Sequence, residues 1–470
     1  MRYQRPISVR LGPAPRPSPR SSWQTLAGYQ TASDVGPHAQ IDLDMAEFET
    51  QCGLKTAAGF TEALRIYEKG GNGTCAVANA NGAGCAAGAA YGNSRKSDSI
   101  RTLKGFATKN YNTAKLRGTD GGNYGEQLPP IYACYWNDWT WADSFVTNSY
   151  SNVKDNGRAE LMKKGANYQA VWMYVLHELE DAIGDCYAGD ITANDATPTG
   201  GAPHAWDEGW AFYAGSLIGA TAADAAKTST ASSEGTLIWE LSEKRGADFG
   251  TLDTTGPSKA NVGLVADFID GRDKIIAANC AGAEPVIDKI ITKMTIPLIQ
   301  GTIKYAWKAD PANAGDCSAD AGKTALTASD NCVKSWTEGW AFAAALLPQL
   351  DQCDPEVASV VRHNLDAGAT GPMQCGFATV KTAIESCYTK LGVTCADIGA
   401  FQSSTGVYAG ADACTTIPAK PALATCSAKF PATAAPVPVA GCEAPASDDA
   451  TAPALALGAA AAAAGAALLL

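Results

Sequence analysis

The chain has 470 residues, a formal net charge of −12 and 15 cysteines. This length allows two or three domains with sizeable cores. The acidic balance argues against a nucleic-acid partner, because proteins that bind nucleic acid present basic patches.

The cysteines indicate an oxidising compartment. None of them forms a C-x-x-C pair, which argues against zinc ribbons and thioredoxin-like redox motifs and favours disulfides. An odd count leaves one thiol free or pairs it between two chains. We therefore expect a protein of the cell surface, the periplasm or the extracellular space.

The two ends of the chain have unusual compositions. Residues 1–36 are interpreted as a leader of uncertain type, rich in Arg, Pro and Ser but without the apolar run of a secretory signal. Residues 451–470 form an apolar tail that follows small residues at 446–450, which is the layout of a GPI-attachment signal. A short membrane-spanning tail is the alternative. On either interpretation, we expect membrane contact only through this tail.

Helical periodicity dominates the first half of the chain. Residues 33–69 are predicted to be mostly helical, with Gly70 and Gly71 as the stop. A Gly-, Ala- and Asn-rich stretch at 72–99 is predicted to be a disulfide-tied surface loop, and its sequon predicts glycosylation at Asn72. Further helices are predicted at 100–115, 159–187 and 206–220, of which 159–187 has the strongest pattern.

A tryptophan-rich motif occurs twice. HAWDEGWAFYAGSL, which begins at His204, resembles KSWTEGWAFAAALL, which begins at Lys334, and helical patterns at 262–279 and 376–391 follow the two copies. Strand signals are few. We therefore predict an all-α fold of two tandem repeated helical bundles, at 37–225 and 232–400, with disulfide-tied loops. Residues 401–450 are predicted to be a loop-rich, disulfide-pinned stalk. The four tryptophans of the motif are more typical of core anchors than of a binding platform.

The polar faces of two neighbouring helices predict a metal site. Residues three or four apart share a helix face, so His177 lies beside Glu180, and His204 lies beside Glu208. Buried carboxylates need compensation, which a metal ion supplies, and helical bundles build such sites from inward-facing Glu and His. The predicted ligands are His177, Glu180, Asp181, His204 and Glu208; further candidates are Tyr174, Glu178, Tyr213 and Glu338. The alternative is that these acidic faces are simply hydrated.

The second motif copy lacks most of this polar face, since Ile303, Lys304 and Tyr305 stand where the first copy has its histidine and acids. We therefore predict one competent site, in the first bundle. The run from His177 to Asp181 begins like the H-E-x-x-H helix of zinc peptidases, but its last position is Asp181 instead of a second histidine. Since nucleophile-elbow, P-loop and dinucleotide motifs are also missing from the sequence, we predict a protein that is not an enzyme.

The 177–186 helix, the repeated E-G-W-A-F motif, the cysteines and the apolar tail resemble the algal iron-assimilation proteins, also called low-iron-inducible periplasmic proteins. The resemblance covers most of residues 40–400 and implies a protein that binds ferric or ferrous iron, with zinc less expected, and assists iron uptake beside a surface ferroxidase or permease. His177-x-x-Glu180 is also similar to imelysin-like proteins, which are two-bundle helical proteins tied to iron regulation. A structural surface glycoprotein and an imelysin-type metal-dependent peptidase remain the alternatives.

Overall fold

The computed structural model describes residues 25–70, 95–96, 99–109, 128–192, 201–218 and 235–427. The predicted glycosylation site at Asn72, most of the predicted leader and the apolar tail lie outside these residues. The described residues are mainly helical, and their only strands form three hairpins with two residues in each strand. The all-α prediction is therefore confirmed.

The helices are named in chain order. They are α1 Gly36–Ala39, α2 Ile41–Gly53, α3 Ala57–Lys69, α4 Leu103–Ala107, α5 Leu128–Trp136, α6 Trp141–Thr147, α7 Asp155–Gly165, α8 Trp172–Tyr187, α9 Gly201–Ala214, α10 Ile238–Phe249, α11 Lys259–Ile276, α12 Cys280–Ala309, α13 Asp330–Cys353, α14 Pro355–Leu365, α15 Phe377–Ser386, α16 Tyr388–Leu391, α17 Cys395–Ile398 and α18 Ala424–Ser427. A π-helix, Ala166–Val171, joins α7 to α8. The hairpin strands are β1 Thr25–Leu26 with β2 Tyr29–Gln30, β3 Arg95–Lys96 with β4 Ser99–Ile100, and β5 Gln402–Ser403 with β6 Gly406–Val407.

Helices α8 and α9 pack closely against each other. The run from α7 through α8 confirms the helix predicted at 159–187, whereas α9 begins and ends about one and a half turns earlier than the predicted 206–220. A side chain at Gly209 would have its Cβ 3.1 Å from Leu179 and 3.4 Å from the Val175 carbonyl oxygen. The glycine of the E-G-W-A-F motif therefore allows the two helices to approach.

The motif tryptophans are core anchors, as predicted. All four are buried, and the first of each copy donates its indole N–H to a backbone carbonyl of a neighbouring helix. Trp206 bonds to Phe268 and Trp336 bonds to Leu365, each at 2.9 Å. The two copies thus have the same packing role, while the tandem duplication itself stays a prediction.

Two large apolar clusters fill the interior. The first collects most of its residues from β1 to the middle of α12, including Phe268, Ile287 and Leu298. The second collects most of its residues from α12 to α18. Residues 238–298 therefore pack mainly on the first cluster, although the sequence assigned them to the second repeat. The predicted domain boundaries stay a prediction.

Disulfides tie the helices and the following loops together. The described bridges are Cys186–Cys280, Cys317–Cys332, Cys353–Cys387, Cys375–Cys426 and Cys395–Cys414. Among the described cysteines, Cys52 is a free, buried thiol. The last two bridges pin the loop-rich segment beyond α17, whose Phe401 and Ala411 are buried in the second cluster. The prediction of a disulfide-bonded protein is confirmed.

None of the helices within the described ranges combines the length and the apolar character that crossing a bilayer requires.

The packing of α11 on α9 predicts a strong effect for Gly271→Ala. The added Cβ would lie 2.0 Å from the rigid Trp206 ring, so we expect the free energy of unfolding to fall by about 3 kcal/mol or more. Gly53→Ala is the matched control, because nothing lies within 4 Å of its Cβ position. We expect the control to be neutral or to stabilise by up to about 1 kcal/mol. Urea denaturation measures both; equal stability of the two variants would contradict this packing.

Candidate metal site

The site is assembled where the N-terminal segment, residues 25–39, meets α9. Asp207 of α9 holds this segment, since its Oδ1 accepts from the Tyr29 hydroxyl at 2.6 Å and its Oδ2 accepts from the Ala32 and Ser33 backbone N–H groups at 2.6 and 2.8 Å. The short helix α1 follows directly, with Pro37 in its first turn. This docking places His38 of α1 over α9.

His38, His204 and Glu208 converge on one point. The Nε2 atoms of His38 and His204 lie 3.2 and 3.0 Å from the same carboxylate oxygen, Glu208 Oε1. Their candidate ligand atoms all lie within 4.8 Å of one another, and across the described ranges this is the one group of three with that property. Two ligand atoms that each lie about 2.1 Å from one ion, with a right angle between the two bonds, are about 3 Å apart. The two Nε2–Oε1 distances therefore suit ligands that share one ion. Two imidazoles and one carboxylate form the ligand set of many non-haem iron sites.

Arg101 completes the surroundings of the carboxylate. Its Nη2 donates to Glu208 Oε2 at 2.7 Å, and its guanidinium carbon lies 5.3 Å from the centroid of the Phe212 ring. Burial alone would raise the pKa of Glu208, but the charges of His38 and Arg101 and the hydrogen bonds from both imidazoles hold that pKa well below its usual value. Glu208 is therefore ionised. Burial lowers the pKa of His38, although Glu208 opposes this effect. His38 therefore gives up its proton more readily than a free imidazole does, as metal binding requires.

Tyr174 and Glu178 of α8 lie near Arg101, which hydrogen-bonds with Tyr174. Tyr174 stacks on Phe106 with ring centroids 3.8 Å apart, and burial followed by the charge of Glu178 raises its pKa well above the usual value. Burial, and next the charge of Glu208, raise the pKa of Glu178 to about 8. Both side chains are therefore mainly protonated at neutral pH and hydrogen-bond to each other. They surround the carboxylate without adding charge.

The structure brings together two of the five predicted ligands, His204 and Glu208. His177 and Glu180 are buried on α8, and Asp181 is partly exposed there. None of these three belongs to a group of three converging ligand atoms within the described residues. Their assignment as ligands stays a prediction.

The further candidates lie in different surroundings. Tyr174 and Glu178 are next to His38, His204 and Glu208, which together are called the convergent group. Tyr213 instead donates its hydroxyl hydrogen to Asn261 on α11. Glu338 is buried beside Glu160 and hydrogen-bonds with Tyr305. The ligand roles of Tyr213 and Glu338 also stay predictions.

Sequence reasoning missed His38 and Arg101. Neither is near α9 in sequence, since His38 precedes His204 by 166 positions. The local signal was limited to composition, because His38 is one of only four histidines in the chain. The docking of the N-terminal segment, to which Asp207, Trp210 and Arg272 contribute hydrogen bonds, brings His38 to the site.

The fold and the site together define a class: a helical, disulfide-bonded protein with a buried group of two imidazoles and one carboxylate. A family model described as low iron-inducible periplasmic protein matches residues 20–418. The chain belongs to this family, which confirms the resemblance and supports a periplasmic or extracellular location. No curated protein and no solved structure matches the chain.

The raised pKa of Glu178 predicts how stability depends on pH. Between its usual value of 4.5 and about 8, the folded protein keeps a proton that the unfolded chain loses, so stability falls as pH rises through that window. Glu178→Gln imitates the protonated acid and should remove this loss. Between pH 5 and pH 8 we expect the metal-free wild type to lose about 3.5 kcal/mol more than the variant in urea denaturation.

Glu68→Gln serves as the control for this measurement, because it removes a carboxylate that is exposed on α3. We expect it to follow the wild-type pH profile. If Glu178→Gln also follows the wild-type profile, the protonated state assigned to Glu178 is wrong.

Proposed function

We propose that the protein is a non-enzymatic iron-binding protein that assists iron assimilation outside the cytosol. The observation that carries this proposal is the convergence of His38, His204 and Glu208 on one point. Membership of a low iron-inducible family supports iron as the metal.

The chemistry of the group suits a metal ion that is bound and released. His38, His204 and Glu208 would hold the ion, and imidazole nitrogens suit iron, copper and zinc, while carboxylate oxygens suit harder ions. The three side chains keep exposed fractions of 12%, 17% and 9%, so they are mostly buried but not sealed from solvent. A protein that hands on its metal needs this combination of enclosure and access. We propose ferrous or ferric iron as the cargo, with zinc as the less favoured ion.

Arg101 fits a site that exists in two states. Without metal, its guanidinium is the permanent positive charge that compensates the buried carboxylate of Glu208. With metal, the ion supplies positive charge on the Oε1 side of the same carboxylate. Glu208 is therefore compensated in both states, so the fold does not depend on metal to keep this acid buried.

A surface ferroxidase or permease would be the partner that exchanges iron with this protein. The apolar tail, by its GPI-like layout, would hold the protein near such a partner. Both statements rest on the family and on the tail sequence, and they are tested by cellular fractionation and cross-linking.

Iron binding is tested by equilibrium dialysis with elemental analysis, using ferrous iron without oxygen and ferric iron supplied as a weak chelate. We expect about one iron per wild-type chain and at least about a tenfold loss of affinity in His38→Ala and in His204→Ala, since each removes one ligand. His363→Ala is the matched control. Its imidazole donates from Nδ1 to the Ser359 carbonyl on α14, outside the convergent group, so iron binding should be unchanged.

A fourth arm uses His177→Ala with Glu180→Ala, the pair that helix spacing predicted. If this double variant binds iron as the wild type does, while His38→Ala loses iron binding, the iron site is the convergent group. Retained binding in His38→Ala and His204→Ala, or no iron in the wild type, contradicts the proposed function.

A further inference from the structure

We propose that a polar cavity between α10, α11, α12 and α17 binds a sugar acid, meaning a small molecule with one carboxylate and several hydroxyl groups. None of the residues that line this cavity belongs to the convergent group. The inference is therefore independent of the proposed iron binding.

The cavity has a volume of about 200 Å³. Eight of its twelve lining residues have polar or charged side chains, so a polar ligand suits it better than an apolar one. Thr251 and Gln300 are buried in its wall, whereas Lys259 is exposed, so the cavity opens to solvent beside Lys259. This volume admits one molecule of monosaccharide size, to which the wall offers hydrogen bonds.

Three side chains in the cavity wall carry donor hydrogens that no acceptor among the described residues takes up. The Thr251 hydroxyl accepts from Gln300 Nε2 at 3.1 Å, which leaves its own hydrogen to donate. The Thr292 hydroxyl and the Lys259 ammonium form no hydrogen bond or ion pair within the described ranges. Donors without acceptors favour a ligand group that only accepts, and a carboxylate is a strong acceptor of this kind.

The charges of the wall suit a ligand with one negative charge. Lys293 is already paired with Asp267 of α11. Asp397 is the acid of the lining, and its Oδ2 accepts from the Thr394 N–H and hydroxyl groups at 2.8 and 2.7 Å. Lys259 is thus the cation that a carboxylate would pair with, whereas Asp397 would repel a more highly charged anion.

An acceptor lies beside these donors. Gln300 donates from Nε2 to the Ile398 carbonyl oxygen at 2.9 Å as well as to Thr251. Since a carbonyl oxygen can only accept, the orientation of the amide is fixed, and its oxygen Oε1 is left to accept. A ligand hydroxyl can donate to Oε1, and the hydroxyls of Ser242 and Ser258, which lie 2.8 Å apart, add polar groups to the wall. A hydroxylated acid therefore complements the cavity better than an apolar acid.

Isothermal titration calorimetry of the full chain, freed of metal and of chelator, tests the proposal with glucuronate as the probe. Glucose is the matched probe without a carboxylate, and cyclohexanecarboxylate is the matched probe without hydroxyls. We expect glucuronate to bind, and each of the other two to bind at least about tenfold more weakly, because each lacks one kind of hydrogen bond that the wall offers.

Two variants locate the binding. Lys259→Met removes the exposed ammonium and Thr251→Val removes the buried hydroxyl, and each should weaken glucuronate binding at least about fivefold. Lys289→Met is the control, because it removes the same charge from an exposed position of α12 outside the cavity. Lys259→Met changes only an exposed side chain, so it tests the cavity even if circular dichroism shows that Thr251→Val does not fold.

The outcomes are separate from those of the iron experiment. No binding of glucuronate by the wild type, or an unchanged affinity in Lys259→Met, overturns the site. Glucose or cyclohexanecarboxylate that binds as tightly as glucuronate overturns the assignment to a sugar acid. Iron binding by Lys259→Met should equal that of the wild type, so a failure of this cavity leaves the iron proposal to its own test.

Discussion

A buried carboxylate that needs positive charge is the constraint on which the site depends. Glu208 lies in the interior of a helical protein, where an ionised acid is costly unless charges or hydrogen bonds surround it. Three separate parts of the chain supply them: α1 provides His38, the segment after β4 provides Arg101, and α9 provides His204. The compensation of one charge therefore joins elements that are far apart in sequence, and the same convergence creates the candidate metal site.

The second copy of the motif compensates its glutamate in another way. The surroundings are similar, since Arg245 lies 5.8 Å from the Phe342 ring as Arg101 lies 5.3 Å from Phe212. Glu338, however, faces another acid, Glu160. Burial and then the charge of Glu160 raise the pKa of Glu338, while Lys164 opposes that rise.

The groups that act on Glu338 are Glu160, Lys164, Tyr305 and Lys334, whereas two imidazoles act on Glu208. Among the described residues, the converging imidazoles and carboxylate include the motif residues of the first copy. That this copy holds the competent metal site stays a prediction. The difference comes from a few side chains within similar packing, because Trp206 and Trp336 anchor both copies through the same kind of hydrogen bond.

The sequence predicted those features that depend on local spacing. Helical periodicity located α7 and α8, and the i, i+4 rule placed His204 beside Glu208. The rule also favoured His177 and Glu180, because a shared helix face does not show what the neighbouring helix presents to it. His38 could not be found in this way, since its position depends on tertiary docking through Asp207. Likewise, Arg101 lies in a short segment whose own pattern contains no metal-site signal.

The most direct test of the account is an anomalous difference map, recorded at the iron absorption edge from crystals of the iron-loaded protein. The account predicts one strong peak bonded to the Nε2 atoms of His38 and His204 and to a carboxylate oxygen of Glu208. A peak at His177 and Glu180, or at Glu338, with the His38–Glu208 contact unchanged, would contradict it.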